Sequence, residues 1–259
     1  MRAVEALVRS SPTIARPHRL PPRASQSVDP VWTREGLWSA APRAFRGLVG
    51  VAAAGPARWD PSSANFFAVV GDALVRVDPG GSLIRLIGGV RGTDFDIRTA
   101  ANLIVVREDG ERIVAQWPGF GGSPASPVRR VLWQGGAFFA PRLSPDGTKV
   151  LVEESRAAGG HVHVASLDGI TRDLGAGYGP AWWPDSRRIV ITEVIHDGAR
   201  ITASELLLVD IDTGLRVPLA RTPDSAEVEP AVSLDGRWIA WRDALTEELC
   251  IAAMPTVGR

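Results

Sequence analysis

A fixed spacing between proline and aspartate recurs three times and constrains the fold of this chain more than any other feature. The three copies are Pro141-Arg-Leu-Ser-Pro-Asp146-Gly147, Pro180-Ala-Trp-Trp-Pro-Asp185-Ser186 and Pro230-Ala-Val-Ser-Leu-Asp235-Gly236. They align without gaps, and an apolar segment follows each copy at once. Self-similarity of this kind predicts repeated supersecondary units that stack on one another.

Two weaker copies of the unit lie upstream, at Pro56 and at Asp94. With them included, the apolar strand after each motif starts at Phe66, Leu103, Val150, Ile189 and Ile239. The mean spacing is about 43 residues, which is typical of the four-stranded blades of a β-propeller.

Each unit continues with a third strand, a turn that usually contains glycine, and a fourth strand. The predicted third strands are Leu74–Asp78, Arg112–Trp117, His161–Ser166, Glu205–Ile211 and Glu247–Ala253. The predicted fourth strands, present in the first four units, are Leu83–Ile87, Val128–Trp133, Ile170–Leu174 and Leu215–Leu219. Outside the N-terminal region no window has helical periodicity. The sequence therefore predicts an all-β propeller of four-stranded blades, with five blades favoured over six.

The fifth unit lacks a fourth strand of its own. Residues 36–50 resemble residues 73–88, which contain a third and a fourth strand. We therefore expect an N-terminal strand, Phe45–Val49, to complete the last blade, which would leave only short and protected sheet edges. The six-bladed alternative places the segment near Leu37 in a degenerate extra blade.

The first 28 residues differ from the rest of the chain. They contain five arginines and four prolines against one acidic residue, Glu5. This composition predicts a flexible basic arm, separate from a propeller over residues 29–259. The alternatives are contact of the arm with an acidic partner or surface, and a targeting peptide.

The composition argues against several classes of protein and site. The formal net charge is +0, which argues against a nucleic-acid partner that must be held by neutralising phosphates. Cys250 is the single cysteine, so no internal disulfide or cysteine-ligated metal site is expected. No apolar run approaches the roughly 18 residues of a membrane-spanning helix. The absence of a secretory signal favours the cytoplasm.

Residues capable of chemistry are few, and we expect no catalytic residue, no metal and no cofactor. Ser123 lies in an incomplete nucleophile pattern, Gly-Gly-Ser-Pro-Ala, without a strand-to-helix context. His161 and His163 would share one face of a strand, but no third metal ligand is evident. For Asp94 and Asp96, a role at the start of a strand is favoured over cation binding.

The three strong motif copies resemble the TolB-type β-propeller repeat family, whose repeats read roughly Pro-x-Trp-Ser-Pro-Asp-Gly before an apolar strand. The resemblance covers residues 36–254. It implies a propeller that binds protein partners, and it offers the periplasm or cell envelope as the alternative location. The chain departs from the best-known member in lacking a secretory signal and a separate N-terminal α/β domain, and in having fewer blades. Related repeats also form substrate-filtering propellers of prolyl-oligopeptidase-like enzymes.

We therefore expect a non-enzymatic scaffold for protein–protein interaction. The alternatives are a hydrolase, lyase or glycan-binding propeller with a site in a central funnel, and a structural subunit anchored by the basic arm. Binding is predicted on the face that carries the blade-to-blade connections. The predicted loops there include residues 193–204 and 221–229. The predicted partner-binding residues are Asp94, Tyr178, His196, Asp197 and Glu229.

Overall fold

The computed structural model describes residues 18–19, 31–33, 36–40, 43–46, 57–60, 65–77, 83–88, 90, 92, 94–117, 128–157, 159–196, 201–220 and 225–254. Within these residues the chain is all-β, and its helical content is a single 3-10 turn, Thr99–Ala101. None of the helical structure described has the length or apolarity needed to cross a bilayer.

The strands are short and follow one another through turns. They are β1 (His18–Arg19), β2 (Val31–Thr33), β3 (Gly36–Ala40), β4 (Arg43–Arg46), β5 (Arg58–Asp60), β6 (Asn65–Val70), β7 (Ala73–Val77), β8 (Leu83–Ile87), β9 (Phe95–Arg98), β10 (Leu103–Glu108), β11 (Arg112–Trp117), β12 (Val128–Gln134), β13 (Phe138–Leu143), β14 (Lys149–Arg156), β15 (Gly159–Ser166), β16 (Thr171–Ala176), β17 (Tyr178–Trp182), β18 (Arg188–His196), β19 (Ile201–Asp210), β20 (Arg216–Ala220), β21 (Glu227–Val232), β22 (Trp238–Asp243) and β23 (Leu249–Ala253).

Five sheets have four strands each and form the blades. Their orders are β5-β6-β7-β8, β9-β10-β11-β12, β13-β14-β15-β16, β17-β18-β19-β20 and β21-β22-β23-β1. Strands β2, β3 and β4 form a further three-stranded sheet. The fold is a five-bladed β-propeller, as the repeats predicted. The predicted strands Arg112–Trp117 and Leu83–Ile87 coincide with β11 and β8.

The last blade is completed by an N-terminal strand, as expected, but the predicted residues were wrong. Strand β1 pairs with β23 through His18↔Ile251 and Arg19↔Cys250. Phe45 instead lies in β4 and pairs with Trp38 of β3. The likeness between residues 36–50 and 73–88 was genuine, because both segments form a hairpin. It did not identify the partner sheet of that hairpin.

The motif turns explain the recurring aspartate. Asp146 Oδ1 accepts hydrogen bonds from the hydroxyl of Ser144 at 2.5 Å and from the backbone N–H of Thr148 at 3.0 Å. Gly147 has a φ of 70°, and its counterpart Ser186 adopts 57°. Burial acts to raise the pKa of Asp146, but these hydrogen bonds outweigh it and hold the pKa below its usual range. The motif is therefore a structural turn.

Two compact units divide the chain. One comprises Ala24–Leu143 and Ala165–Thr171, and the other comprises Met1–Arg23, Ser144–Val164 and Arg172–Arg259. In the first unit, a core cluster includes Phe67, Phe95, Ile97, Ile104 and Val106, each at most 1% exposed. These aromatic and β-branched side chains suit strands that are covered on both faces.

In the second unit, the apolar residue between the motif proline and aspartate packs on a core cluster. Trp182 of the fourth blade packs on a cluster that contains Leu151 of the third. Val232 of the fifth blade packs on a cluster that contains Trp183, which follows β17 of the fourth blade. The motif thus supplies both the turn and a side chain that packs on a cluster shared by two blades.

Candidate functional site

The residue before each motif proline adopts a left-handed backbone. Ala140, Gly179 and Glu229 have φ values of 50°, 56° and 56° and precede Pro141, Pro180 and Pro230. A residue before proline is hindered from the right-handed helical region, which leaves extended or left-handed conformations. The pairing register shifts at two of these positions, between Tyr178 and Ala181 and between Val228 and Ala231. Each first strand therefore carries a kink near its start.

Asp94, in the first unit, connects the first strands of three successive blades. Its Oδ2 accepts a hydrogen bond from the backbone N–H of Ala140 at 2.6 Å. Its Oδ1 lies 3.5 Å from Nη2 of Arg58, which also donates from Nε to the carbonyl of Phe95 at 2.8 Å. Asp94 therefore holds β5, β9 and β13 together at their starts.

Asp96 performs a similar role deeper in the same unit. Its side chain is buried, and Oδ2 accepts from the backbone N–H of Leu143 at 2.8 Å. Oδ1 accepts from the backbone N–H of Ile97 at 2.9 Å, and Nη1 of Arg98 lies 3.4 Å away. Nη2 of Arg98 donates to the carbonyl of Leu143 at 2.8 Å. Both carboxylates of the Asp94-Phe-Asp96 segment are thus bonded to neighbouring strands.

Two arginines belong to this cluster and were not singled out from the sequence. Burial, followed by the positive charge of Arg142, lowers the pKa of Arg58, and the charges of Asp96 and Asp94 oppose this shift. The two guanidinium groups therefore lie within range of each other's charge. One indication was present in the sequence, because Arg142 aligns with Ala181 and Ala231 in the other motif copies.

Tyr178, in the second unit, packs against the start of β15. A Cβ on Gly160 would lie 2.5 Å from Cε1 of Tyr178, which is closer than any real contact. The backbone N–H of Gly177 donates to the carbonyl of Gly160 at 3.0 Å. Gly160 thus lets the tyrosine ring lie directly on the backbone.

Gly179, the residue after Tyr178, contacts β21, the first strand of the next blade. Gly179 donates its backbone N–H to Oε2 of the buried Glu153 at 3.1 Å. A Cβ on Gly179 would lie 3.4 Å from Cδ of Pro230 and 3.6 Å from Cα of Glu229. The structure therefore brings Tyr178 and Glu229, both predicted partner-binding residues, to adjacent positions.

Glu229 is held by an ion-pair network. Its carboxylate lies 3.2 Å from Nε of Arg242, whose Nη1 lies 2.9 Å from Oε2 of Glu247. The side chains of Glu229 and Glu247 are 70% and 72% exposed. The hydrogen bonds that Arg242 donates to the carboxylate of Glu229 outweigh desolvation and raise the pKa of Arg242. Two solvent-exposed carboxylates thus share one guanidinium group.

The remaining predicted residues have different fates. His196 ends β18 and pairs with Ile201 of β19, at the same end of the sheet as Tyr178. Asp197 lies outside the described residues. Asp94 lies in the first unit. The predicted loop over residues 193–204 was too long at both ends. Strand β18 continues through Glu193, which pairs with Glu205, as far as His196, and β19 already begins at Ile201.

His161 and His163 do share one face of β15, with their rings 6.4 Å apart. Nε2 of His163 lies 2.9 Å from Oε2 of Glu154, and Nδ1 of His161 lies 3.3 Å from the carboxylate of Asp173. Arg156 contacts all four side chains. Across the described part of the chain, no three His, Cys, Asp or Glu side chains are grouped as a metal site.

Comparisons with known proteins agree with this architecture. No family model and no curated protein sequence matches the chain. A TolB structure from Agrobacterium tumefaciens is similar, with 18% identity, a TM-score of 0.57, and coverage of 78% of this chain and 74% of that one. TolB from Acinetobacter baumannii has 12% identity and a TM-score of 0.54, covering 84% of this chain and 59% of that one.

An enzyme is similar to the same degree. Oligogalacturonate lyase from Vibrio parahaemolyticus has 8% identity and a TM-score of 0.56, with coverage of 88% of this chain and 74% of the lyase. At such identities the likeness is one of fold, and folds of this kind carry many functions. The chain is a five-bladed β-propeller, and its fold is similar to those of the two TolB structures and of the lyase.

Proposed function

We propose that this chain is a non-enzymatic scaffold that binds a protein partner at the start of β17 and β21. One observation carries the proposal. Glu229 is charged and exposed, yet it occupies the left-handed position that the other motif copies fill with Ala140 and Gly179. Ala140 bears the same backbone strain, on the order of 1–3 kcal/mol, so Glu229 differs from it in presenting an exposed carboxylate at a strained position, and such strain concentrates at functional sites.

The surroundings of Glu229 support a binding role. Arg242 holds the carboxylate in place, so little side-chain freedom remains to be lost when a partner binds. Tyr178 directly precedes Gly179, whose backbone approaches that of Glu229, and tyrosine is a residue type enriched in protein interfaces. The resemblance to TolB-type repeats is consistent with this role. Because a lyase has a similar fold, enzymatic activity is the alternative that the test below also examines.

The test is retention of partners on the immobilised full-length chain, exposed to a lysate of its native source and read by quantitative mass spectrometry. Glu229→Gln removes the charge, and Asp212→Asn is the control. Asp212 is also exposed and paired with an arginine, Arg187, but it follows β19 at the opposite end of its sheet from Tyr178.

We expect a stoichiometric partner on the wild-type chain and on Asp212→Asn, with about tenfold less retained by Glu229→Gln. Equal retention by all three folded proteins would overturn the proposed surface. Cleavage of oligogalacturonate by the purified wild-type chain would overturn the non-enzymatic assignment. Because β1 belongs to the last blade, the experiment requires the full chain rather than a version that starts at Asp29.

A further inference from the structure

Two histidines and three charged side chains form a cluster on the third blade. Glu154 and Arg156 lie on β14, His161 and His163 on β15, and Asp173 on β16, and these three strands are neighbours in one sheet. Nε of Arg156 donates to Oε2 of Glu154 at 2.6 Å, and its Nη2 lies 3.1 Å from Oδ2 of Asp173. One guanidinium group thus joins two carboxylates from different strands.

Nδ1 of His161 lies between a hydrogen-bond donor and a hydrogen-bond acceptor. Nη1 of Arg156 is 2.9 Å from it, and both carboxylate oxygens of Asp173 are 3.3 Å from it. A guanidinium group only donates and an ionised carboxylate only accepts, so the two contacts require opposite protonation states of Nδ1. The shorter distance favours a neutral ring that carries its proton on Nε2 and accepts from Arg156 through Nδ1.

His163 has the opposite preference. Its Nε2 lies 2.9 Å from Oε2 of Glu154 and 3.3 Å from Nη2 of Arg156. Because the nearer group is an acceptor, Nε2 of His163 carries a proton and donates to Glu154 in both the neutral and the charged ring. The contact that must change on protonation is therefore the one between His161 and Arg156.

Asp173 is available to receive the proton of His161. Burial acts to raise the pKa of Asp173, but hydrogen bonds from the backbone N–H of Gly175, at 2.7 Å, and from His161 outweigh it and hold the pKa below its usual range. Histidine is the side chain that commonly changes its charge between pH 5 and pH 8. A protonated Nδ1 can no longer accept from Arg156, and it donates to the ionised Asp173 instead.

The backbone next to this cluster supports Tyr178. Arg156 ends β14, and β15 begins with Gly159 and Gly160. A Cβ on Gly159 would lie 3.1 Å from the phenol oxygen of Tyr178, and the ring of Tyr178 lies directly against Gly160. A change in the contact between β14 and β15 at Arg156 and His161 therefore acts on the surface that holds the tyrosine.

We infer that His161 controls a pH-sensitive switch, in which protonation of Nδ1 breaks its contact with Arg156, forms one with Asp173 and shifts the backbone under Tyr178. The inference goes beyond the proposed function and requires no partner. The proton comes from solvent, to which the side chain of His161 is 23% exposed. It raises the net charge of the cluster by one.

The test is NMR spectroscopy of the full chain between pH 8 and pH 5, with 15N-labelled histidine and 13C-labelled tyrosine. The imidazole 15N shifts report which ring nitrogen carries the proton. Tyr178 is the single tyrosine of the chain, so its ring signals are assigned without ambiguity. The principal variant is His161→Gln. The control is His196→Gln, because His196 ends β18 of the next blade.

At pH 8 we expect the proton of His161 on Nε2, with Nδ1 bare. As the pH falls, the Tyr178 ring signals should shift with the same midpoint as the protonation of His161. This shift should be lost in His161→Gln and retained in His196→Gln. A proton on Nδ1 of His161 at pH 8, a neutral His161 at pH 5, or an undiminished Tyr178 shift in His161→Gln would overturn the inference.

A second variant, Arg156→Met, tests the role of the guanidinium group and does not depend on the folding of His161→Gln. With the donor removed, the proton of the neutral His161 should move to Nδ1, where it faces Asp173. An unchanged tautomer in Arg156→Met would show that Arg156 does not set the state of His161, and it would equally overturn the switch.

Discussion

The carboxylate of Asp94 accepts a hydrogen bond from the backbone N–H of Ala140, 46 residues later in the chain, at 2.6 Å. Ala140 is left-handed at that point, with a φ of 50°. An aspartate at the start of one first strand therefore captures the kinked backbone at the start of the next. In the second unit a left-handed residue is bonded in a different way, because Glu153 in the middle of β14, the second strand of its blade, accepts from the N–H of Gly179 at 3.1 Å.

Removal of the Asp94 carboxylate should destabilise the fold. Asp94→Ala leaves the N–H of Ala140 and the guanidinium of Arg58 without their partner, so we expect a loss of about 2 kcal/mol in the free energy of unfolding. Asp94→Asn keeps an oxygen acceptor and should lose less. Urea unfolding followed by tryptophan fluorescence measures both. The control is Asp72→Ala, whose side chain is 74% exposed and lies 3.6 Å from Arg85. Equal losses in the Asp72 and Asp94 variants would contradict the role of this contact.

Glycine at position 140 should stabilise the protein. The left-handed conformation of Ala140 is strained for an L-residue and is free of strain for glycine. Ala140→Gly should therefore raise the free energy of unfolding by about 0.5–1 kcal/mol, net of the larger entropy that glycine loses on folding. Ala181→Gly, in β17 and without a positive φ, is the matched control and should lower the stability by a similar amount. Destabilisation by both variants would show that position 140 is not strained.

The repeats predicted the blades because each strand has its own local pattern of apolar residues and turns. The run Leu103–Val106 shows this, since its burial follows from its apolar and largely β-branched composition. Strand β1 could not be predicted, because two residues, His18 and Arg19, carry no periodicity. Its position depends on the free edge of β23, which is a tertiary property.

The candidate site was predicted by position but not by chemistry. Glu229 was selected because it lies on the face predicted to carry the blade-to-blade connections, but its left-handed backbone and its approach to Gly179 were not predicted. Arg58 was missed because its environment is built from strands that are distant in sequence, through Asp94 and Phe95. Charge clusters of this kind depend on register between blades, and the register appears only in three dimensions.

Tyr178 and Gly160 should behave as a coupled pair. A methyl group at Gly160 would collide with the tyrosine ring, so we expect Gly160→Ala to destabilise the protein by about 1–3 kcal/mol. In the Tyr178→Ala background the ring is gone and the added methyl group is close only to the carbonyl oxygen of Gly177, at 3.0 Å, so the same substitution should cost less than in the wild type. A double-mutant cycle of urea unfolding measures the coupling. Additive losses would mean that the ring does not lie on Gly160.

Acid should weaken the fifth blade through Asp243. Burial acts to raise the pKa of this carboxyl, but hydrogen bonds from Leu245 at 2.9 Å, Ala226 at 3.3 Å and Ser225 at 3.1 Å lower it below its usual value. A depressed pKa in the folded state means that its stabilisation is fully present above the unfolded-state value of about 3.9. That stabilisation is then lost as the pH falls through the lower pKa of the folded state.

The comparison of wild type with Asp243→Asn isolates this contribution. At pH 7 the free energy of unfolding of the variant should be about 1–3 kcal/mol lower than that of the wild type, because the amide cannot replace every hydrogen bond that the carboxylate accepts. Below about pH 4 the carboxyl of Asp243 takes up a proton in the unfolded chain, and at still lower pH it is also protonated in the folded protein. The difference in free energy of unfolding between wild type and variant should therefore shrink. Urea unfolding of both proteins at pH 7, 5, 4 and 3 follows the difference. If it stays constant down to the lowest pH at which both proteins fold, the ionised carboxylate of Asp243 does not stabilise the blade.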